Sequence, residues 1–208
     1  MKVLILNGSP HKEGNCARLI KELVDTFNKE EVETEVLQIG SQAIKGCIGC
    51  GYCYTHDGCV QNDIVNEVAK KFEASDGLIF VSPVYYGSAN GTLISLLDRL
   101  FYSSHFDKRM KVGAAFSIAR RAGTVATFDE LNKYFYLAQM PVASGRYWNV
   151  AFGRGQGEVE LDLEGLQNAR IVARNMTFLM KSIALGKEQF GLPEKETPTP
   201  THFIKNNG

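Results

Sequence analysis

No stretch of this chain approaches the ~20 consecutive apolar residues that a helix needs to span a bilayer, so no membrane partner is expected. Charge of one sign is also missing: 23 Lys and Arg are balanced by 23 Asp and Glu. A nucleic-acid binder would usually show a basic stripe, and none is evident, so no nucleic-acid partner is expected. The opening MKVLILNGS has neither a long apolar h-region nor a small-residue cleavage site. A cytoplasmic location is therefore the expectation. Internal repeats, low-complexity tracts and domain linkers are absent too, and 208 residues fall within the range of one large domain. Cysteine is scarce but concentrated: of Cys16, Cys47, Cys50, Cys53 and Cys59, the last four share one short loop. An odd, clustered set argues against a secreted disulfide framework and for a metal or redox role in a reducing compartment.

What is present is an alternation of apolar strands and amphipathic helices. Lys2 to Leu6 reads as a strand, and Leu19, Ile20, Leu23, Val24 and Phe27 share one face of a helix over Asn15 to Phe27. Val32 to Leu37 is a second strand and Asp63 to Ala74 a second helix. Gly77 to Ser82 is nearly all apolar, as a strand buried on both faces of a parallel sheet should be. Thr92 to Tyr102 predicts a helix, Lys111 to Ile118 a strand, Val125 to Ala138 a helix, Met140 to Val150 a fifth strand, and Leu163 to Leu185 a final helix. The pattern predicts an α/β doubly wound five-stranded parallel sheet, order 2-1-3-4-5, with helices on both faces. Residues 1–190 would form the single domain, with a cysteine-rich loop 44–61 after the second strand and a tail over 191–208. In that order ligands sit at the carboxyl ends of the strands, between the first and the third.

Two loops belong to that switch point. Gly8-Ser9-Pro10-His11-Lys12-Glu13-Gly14-Asn15-Cys16 runs from the first strand into a helix N-terminus, where free N–H groups and the helix dipole favour an anion. A plain strand-to-helix turn capped by Asn15 explains the same residues. The loop is neither a P-loop, since Gly14 is followed by Asn15-Cys16, nor a GxGxxG turn. The second loop, Ser82-Pro83-Val84-Tyr85-Tyr86-Gly87-Ser88-Ala89-Asn90-Gly91, offers a glycine for close backbone approach, two tyrosines to stack and exposed amides. A flat isoalloxazine ring needs such features; the alternative is a turn with core tyrosines.

The spacing Cys47-x2-Cys50-x2-Cys53-x5-Cys59 matches, in its first three members, the run that wraps a [4Fe–4S] cluster in bacterial ferredoxins. Gly46, Gly49 and Gly51 would let the loop curl, and Cys59 could supply the fourth thiolate. Zinc also accepts four thiolates, though it more often takes two separated C-x2-C pairs. A thiol–disulfide relay leaves two cysteines unexplained, and simple buried small residues strain to explain four.

Together GSPHKEGN, SPVYYGSANG followed by LLDR, and RYWNVAFGRGQGEVELDLEG resemble the NADPH-dependent FMN reductase family, which is flavodoxin-like. The cysteine loop and the closing Pro200 to Lys205 are similar to its iron-sulfur flavoprotein branch. The resemblance implies that Ser9, His11, Gly14, Asn15 and Cys16 surround the FMN phosphate, and that Pro83, Val84, Tyr85, Tyr86, Gly87 and Ser88 line the flavin. It brings the loop after the fourth strand, with Ala119 and Arg120, toward the flavin. There Arg120 or Arg121 could meet the phosphates of NAD(P)H; two solvated arginines on a turn are the alternative. It also makes Cys47, Cys50, Cys53 and Cys59 the ligands of a [4Fe–4S] cluster. The family usually has Thr or Ser where this chain has Cys16, and a thiol is a weak donor.

An FMN oxidoreductase passing electrons between NAD(P)H or a ferredoxin-type donor and an acceptor is the leading expectation, with no protein acid or base required. Its family suggests a homodimer or homotetramer, and ferredoxin is a candidate redox partner. A cluster-free NAD(P)H-dependent reductase of FMN, quinones, nitro- or azo-compounds is the second reading, and a non-enzymatic flavodoxin-like carrier the third.

Overall fold

The structure is a computed structural model that describes residues 1–199 and 201; the tail resemblance over Pro200 to Lys205, Thr201 apart, lies outside the described residues. Five strands run parallel: β1 (Lys2–Asn7), β2 (Glu33–Gln38), β3 (Gly77–Tyr85), β5 (Val112–Ala119) and β6 (Val150–Phe152). Their spatial order is β2-β1-β3-β5-β6. A two-residue strand, β4 (Ser88–Ala89), folds back antiparallel on the end of β3 and lies off this path. Setting β4 aside, the order matches the 2-1-3-4-5 expected from the sequence.

The helices are α1 (Asn15–Lys29), α2 (Val65–Glu73), α3 (Gly91–Ser103), α4 (Thr124–Leu137) and α5 (Leu163–Phe190). Side chains alternate across a strand, so β1 sends Val3 and Ile5 to one face and Leu4 and Leu6 to the other. Val3 and Ile5 pack with Leu19, Leu23 and Phe27 of α1 and with Val172, Ala173 and Met176 of α5. Leu4 and Leu6 join Val68 and Phe72 of α2, Leu93, Leu97 and Leu100 of α3, and Leu131 and Phe135 of α4. Both faces of the sheet are thus covered, which explains why β3 and β5 read as nearly continuous apolar runs.

The expected fifth strand differs most. Val142 makes only an isolated parallel bridge to Gly113, and the regular pairing begins at Val150 opposite Ser117. Between them Asn168 of α5 accepts from the backbone N–H of Arg146 and Tyr147, so a buried amide side chain replaces part of the ladder. Among the described residues no helix is long and apolar enough to cross a membrane.

Candidate functional site

β1 ends where its loop must turn, and Asn7 fixes that turn. Its Oδ1 accepts from the Ser9 N–H (3.0 Å), its Nδ2 donates to Gln38 Oε1 (2.8 Å), and Gly8 N–H bonds to the Val81 carbonyl (2.8 Å). Gln38 in turn donates to the Ser9 carbonyl. Gly40 lies against the same loop: a Cβ there would stand 2.2 Å from the Gly8 carbonyl oxygen. The loop is therefore set by β1, β2 and β3 together.

The α1 N-cap is Gly14, with no side-chain cap and no acidic residue in the first turn. Asn15 is not the cap that a plain turn would require. Its Nδ2 donates to the Gly155 carbonyl (3.0 Å) and its Oδ1 accepts from Val159 N–H (3.2 Å). The helix end is left with N–H groups for an anion. Cys16 is 3% exposed and packs in the core with α1's leucines. Burial pushes its thiol up to about 12, partly opposed by the hydrogen bond with Ser9, so it stays protonated at neutral pH.

On the second loop, Tyr85 pairs with Ser88 across a two-residue turn, Tyr86-Gly87. Both turn residues have positive φ, 53° and 78°, the geometry of a type I′ hairpin. Glu130 of α4 accepts from Ser88 Oγ (2.9 Å) and from the Ala89 N–H (2.8 Å). Asn90 closes the loop by capping α3 through the Thr92 N–H (2.7 Å). The third loop follows β5, with the Ala119 carbonyl accepting from Gly153 N–H (3.0 Å).

These loops surround one cleft of about 840 Å³ at the carboxyl ends of the strands. Of the expected site residues, Ser9, His11, Gly14, Asn15, Cys16, Pro83, Val84, Tyr85, Ala119 and Arg120 line it. Tyr86, Gly87 and Ser88 stand at the hairpin outside its wall. The sequence reading missed Ser41, Ile118, Gly153, Arg154 and Gln156, which complete the lining together with Pro10, Lys12 and Glu13 of the first loop. The glycine-rich Gly153-Arg154-Gly155-Gln156-Gly157 at the end of the fifth strand was the available signal. Lys12, Arg120 and Arg154 outnumber the carboxylate Glu13 around the cleft, which suits a phosphorylated ligand.

The pattern that defines the NADPH-dependent FMN reductases matches residues 1–155, from β1 through the loop after β6. The chain belongs to that family. A member of the NADPH-dependent FMN reductases is a flavin-dependent oxidoreductase, and the cleft suits FMN: its volume fits a small cofactor, and an uncapped helix end and apolar walls face it. The chain is 31% identical over 191 residues to an iron-sulfur flavoprotein of Methanocaldococcus jannaschii, covering 88% of this chain and 99% of that protein. RosB, solved with bound 8-demethyl-8-formylriboflavin-5'-phosphate, superposes with a TM-score of 0.69 at 16% identity, over 100% of this chain and 97% of the other. A flavodoxin from the domain Archaea gives 0.57 at 12% identity, over 87% and 99%. At such identities the two structures speak for the fold, which is flavodoxin-like.

A second, smaller pocket brings Cys47, Cys50, Cys53 and Cys59 together with Arg99 and Tyr102 of α3. Positive φ at Gly49 and Gly51, but not at Gly46, curls the chain between the cysteines. Cys53 is buried, Cys59 is half-buried, and Cys47 and Cys50 are exposed; all four are free thiols. Among the described residues no three His, Cys, Asp or Glu side chains converge as the ligands of a single ion would. Four thiols in one loop are the donor set that a [4Fe–4S] cluster takes, one for each iron.

Proposed function

We propose that this FMN-dependent oxidoreductase is a two-centre electron-transfer protein, with FMN in the large cleft and a [4Fe–4S] cluster on Cys47, Cys50, Cys53 and Cys59. The observation that carries this reading is that all four cysteines of the loop wall one pocket. The ferredoxin-like spacing and the iron-sulfur relative across nearly its full length support it. The backbone of Ser9 to Gly14 and the open end of α1 would receive the FMN phosphate. Cys16 remains a neutral thiol there, adding no charge to repel it. Pro83, Val84 and Tyr85 would wall the ring on one side and Ala119 on another, with Tyr86, Gly87 and Ser88 at the rim. Arg120 and Arg154, which line the cleft, would receive the phosphates of NAD(P)H, whose nicotinamide would share it.

Bound FMN converts two-electron hydride chemistry into the single-electron steps that a cluster can carry. NAD(P)H or a ferredoxin-type protein would be the donor, in the cytoplasm, and the working unit a homodimer or homotetramer. The deciding experiment is an anaerobic absorption spectrum with flavin, iron and sulfide quantified on one sample. About four irons and four sulfides per FMN are expected. FMN without iron or sulfide, in protein never exposed to air, would leave a cluster-free reductase and refute the two-centre reading.

A further inference from the structure

Arg99 is the largest fully buried side chain of the molecule's described residues, only 1% exposed, among the buried leucines and Ser103 of α3. A buried guanidinium is costly unless its donors are all used. Here Nη1 donates to the Lys45 carbonyl (3.0 Å) and to Asp63 Oδ2 (2.5 Å), and Nη2 donates to Asp63 Oδ1 (3.0 Å). Nε and Nη2 both point at Cys59 Sγ, each at 3.3 Å. The same side chain therefore holds the chain just before Cys47 and just after Cys59, and puts two charged N–H groups on one cysteine sulfur.

We infer that Arg99 is a positioning residue for the cluster, and that its paired donors to Cys59 raise the cluster's reduction potential, with Asp63 tempering that effect. The inference rests on the cluster reading above. An N–H donor on a ligand sulfur withdraws electron density from it, and the positive charge stabilises the reduced, more negative cluster. Asp63 fixes the guanidinium through a two-point ion pair and partly neutralises it. The planar fork matters: a lysine ammonium has only three N–H donors on one atom and cannot reproduce these five contacts.

The test measures iron content and the cluster midpoint potential, by anaerobic redox titration followed by electron paramagnetic resonance, in the full-length protein and in Arg99→Gln and Asp63→Asn. Asn at position 63 can still accept from the Val65 N–H that Asp63 Oδ1 holds (3.1 Å), so α2 keeps its start. Arg99→Gln should lower the one-electron reduction constant about tenfold, about 59 mV. Asp63→Asn should shift it in the opposite direction. A purely structural role predicts no such opposition of sign. An unchanged potential in cluster-loaded Arg99→Gln overturns the inference. Should that variant lose its cluster or fail to fold, Asp63→Asn decides alone: an upward shift supports the inference and no shift overturns it. Unsubstituted protein that takes up no iron refutes the cluster reading itself, and this inference with it, before any variant is compared.

Discussion

The carboxamide of Asn15, at the first position of α1, donates to the carbonyl of Gly155, 140 residues further along the chain, at 3.0 Å. Its oxygen accepts from Val159 N–H in the same segment. One side chain thereby clasps the loop after β6 onto the helix end at which an anion would bind. Arg154 and Gln156 of that loop line the cleft, held there also by Gln156 Nε2 donating to the Glu13 carbonyl (3.3 Å).

Replacing Asn15 with Ala should therefore act on two observables. Losing two partly buried hydrogen bonds is expected to cost about 1–3 kcal/mol of stability, read from denaturant midpoints. Loosening the helix end that would receive the FMN phosphate should weaken FMN about tenfold, read by fluorescence titration of apoprotein. Asn15→Asp should bind FMN more weakly than Asn15→Ala, because a carboxylate would face both the Gly155 carbonyl and the phosphate. Equal affinities for the two variants would count against this account.

Gly40 supplies a second prediction, about the other side of the same loop. A Cβ there would fall 2.2 Å from the Gly8 oxygen and 2.3 Å from the Ser9 carbonyl carbon, both backbone atoms that cannot rotate away. Gly40→Ala must displace the loop over Gly8 and Ser9. We expect FMN affinity to fall by at least about tenfold and stability by about 1–3 kcal/mol, as overpacking typically costs. Ser41, the next residue, also lines the cleft, but its side chain is exposed. Ser41→Ala should leave stability unchanged, which separates a displaced backbone from a lost surface hydroxyl.

The sheet was legible because β1, β3 and β5 are mostly apolar strands between amphipathic helices. Helix α1 was found because Leu19, Ile20, Leu23 and Phe27 all turn inward. The last strand was expected too early, over Met140 to Val150 rather than Val150–Phe152, because its neighbourhood is completed by Asn168, a polar residue on a helix about twenty positions away. No local pattern announces that. In the site, loop identity was readable from small residues at strand ends, while the partners of individual side chains were not. Asn15 looks like a phosphate donor or a cap until Gly155 and Val159 are seen beside it. Nothing in LLDR marks Arg99 as the residue that reaches Asp63 and Cys59. Such long-range contacts are set by topology, and spacing along the chain does not encode them.

Cys16 gives a pH prediction. Burial raises its folded value from 9.0 to about 12, so between those values the unfolded chain ionises while the folded chain does not. Its contribution to stability is complete below about pH 9 and declines as pH rises toward 12, by up to about 1.4 kcal/mol per pH unit. Cys16→Ser removes this titration and supplies a stronger hydroxyl donor. Stability curves of the two proteins, compared from pH 7 to 11, should diverge only above about pH 9, with the serine variant losing less. Parallel curves would mean that Cys16 ionises as freely in the fold as outside it.

Tyr86 should separate the hairpin's stability from the cleft's affinity. It is fully exposed at the turn, with φ at 53°, a region that costs a residue bearing a Cβ about 1–2 kcal/mol. Asn tolerates that conformation, and type I′ turns favour Asn followed by Gly. Tyr86→Asn therefore creates the preferred turn sequence ahead of Gly87 and should stabilise the protein by about 1 kcal/mol, visible as a raised denaturant midpoint. Tyr85 lines the cleft, where burial raises its phenol. Tyr85→Ala should lower FMN affinity about tenfold, whereas Tyr86→Asn should change it less than about twofold if Tyr86 stays at the rim. A large loss of affinity in Tyr86→Asn would instead mean that the hairpin closes over the ring when FMN binds. In that case the strain at Tyr86 would serve the bound state, and the expected gain in stability would be confined to the apoprotein.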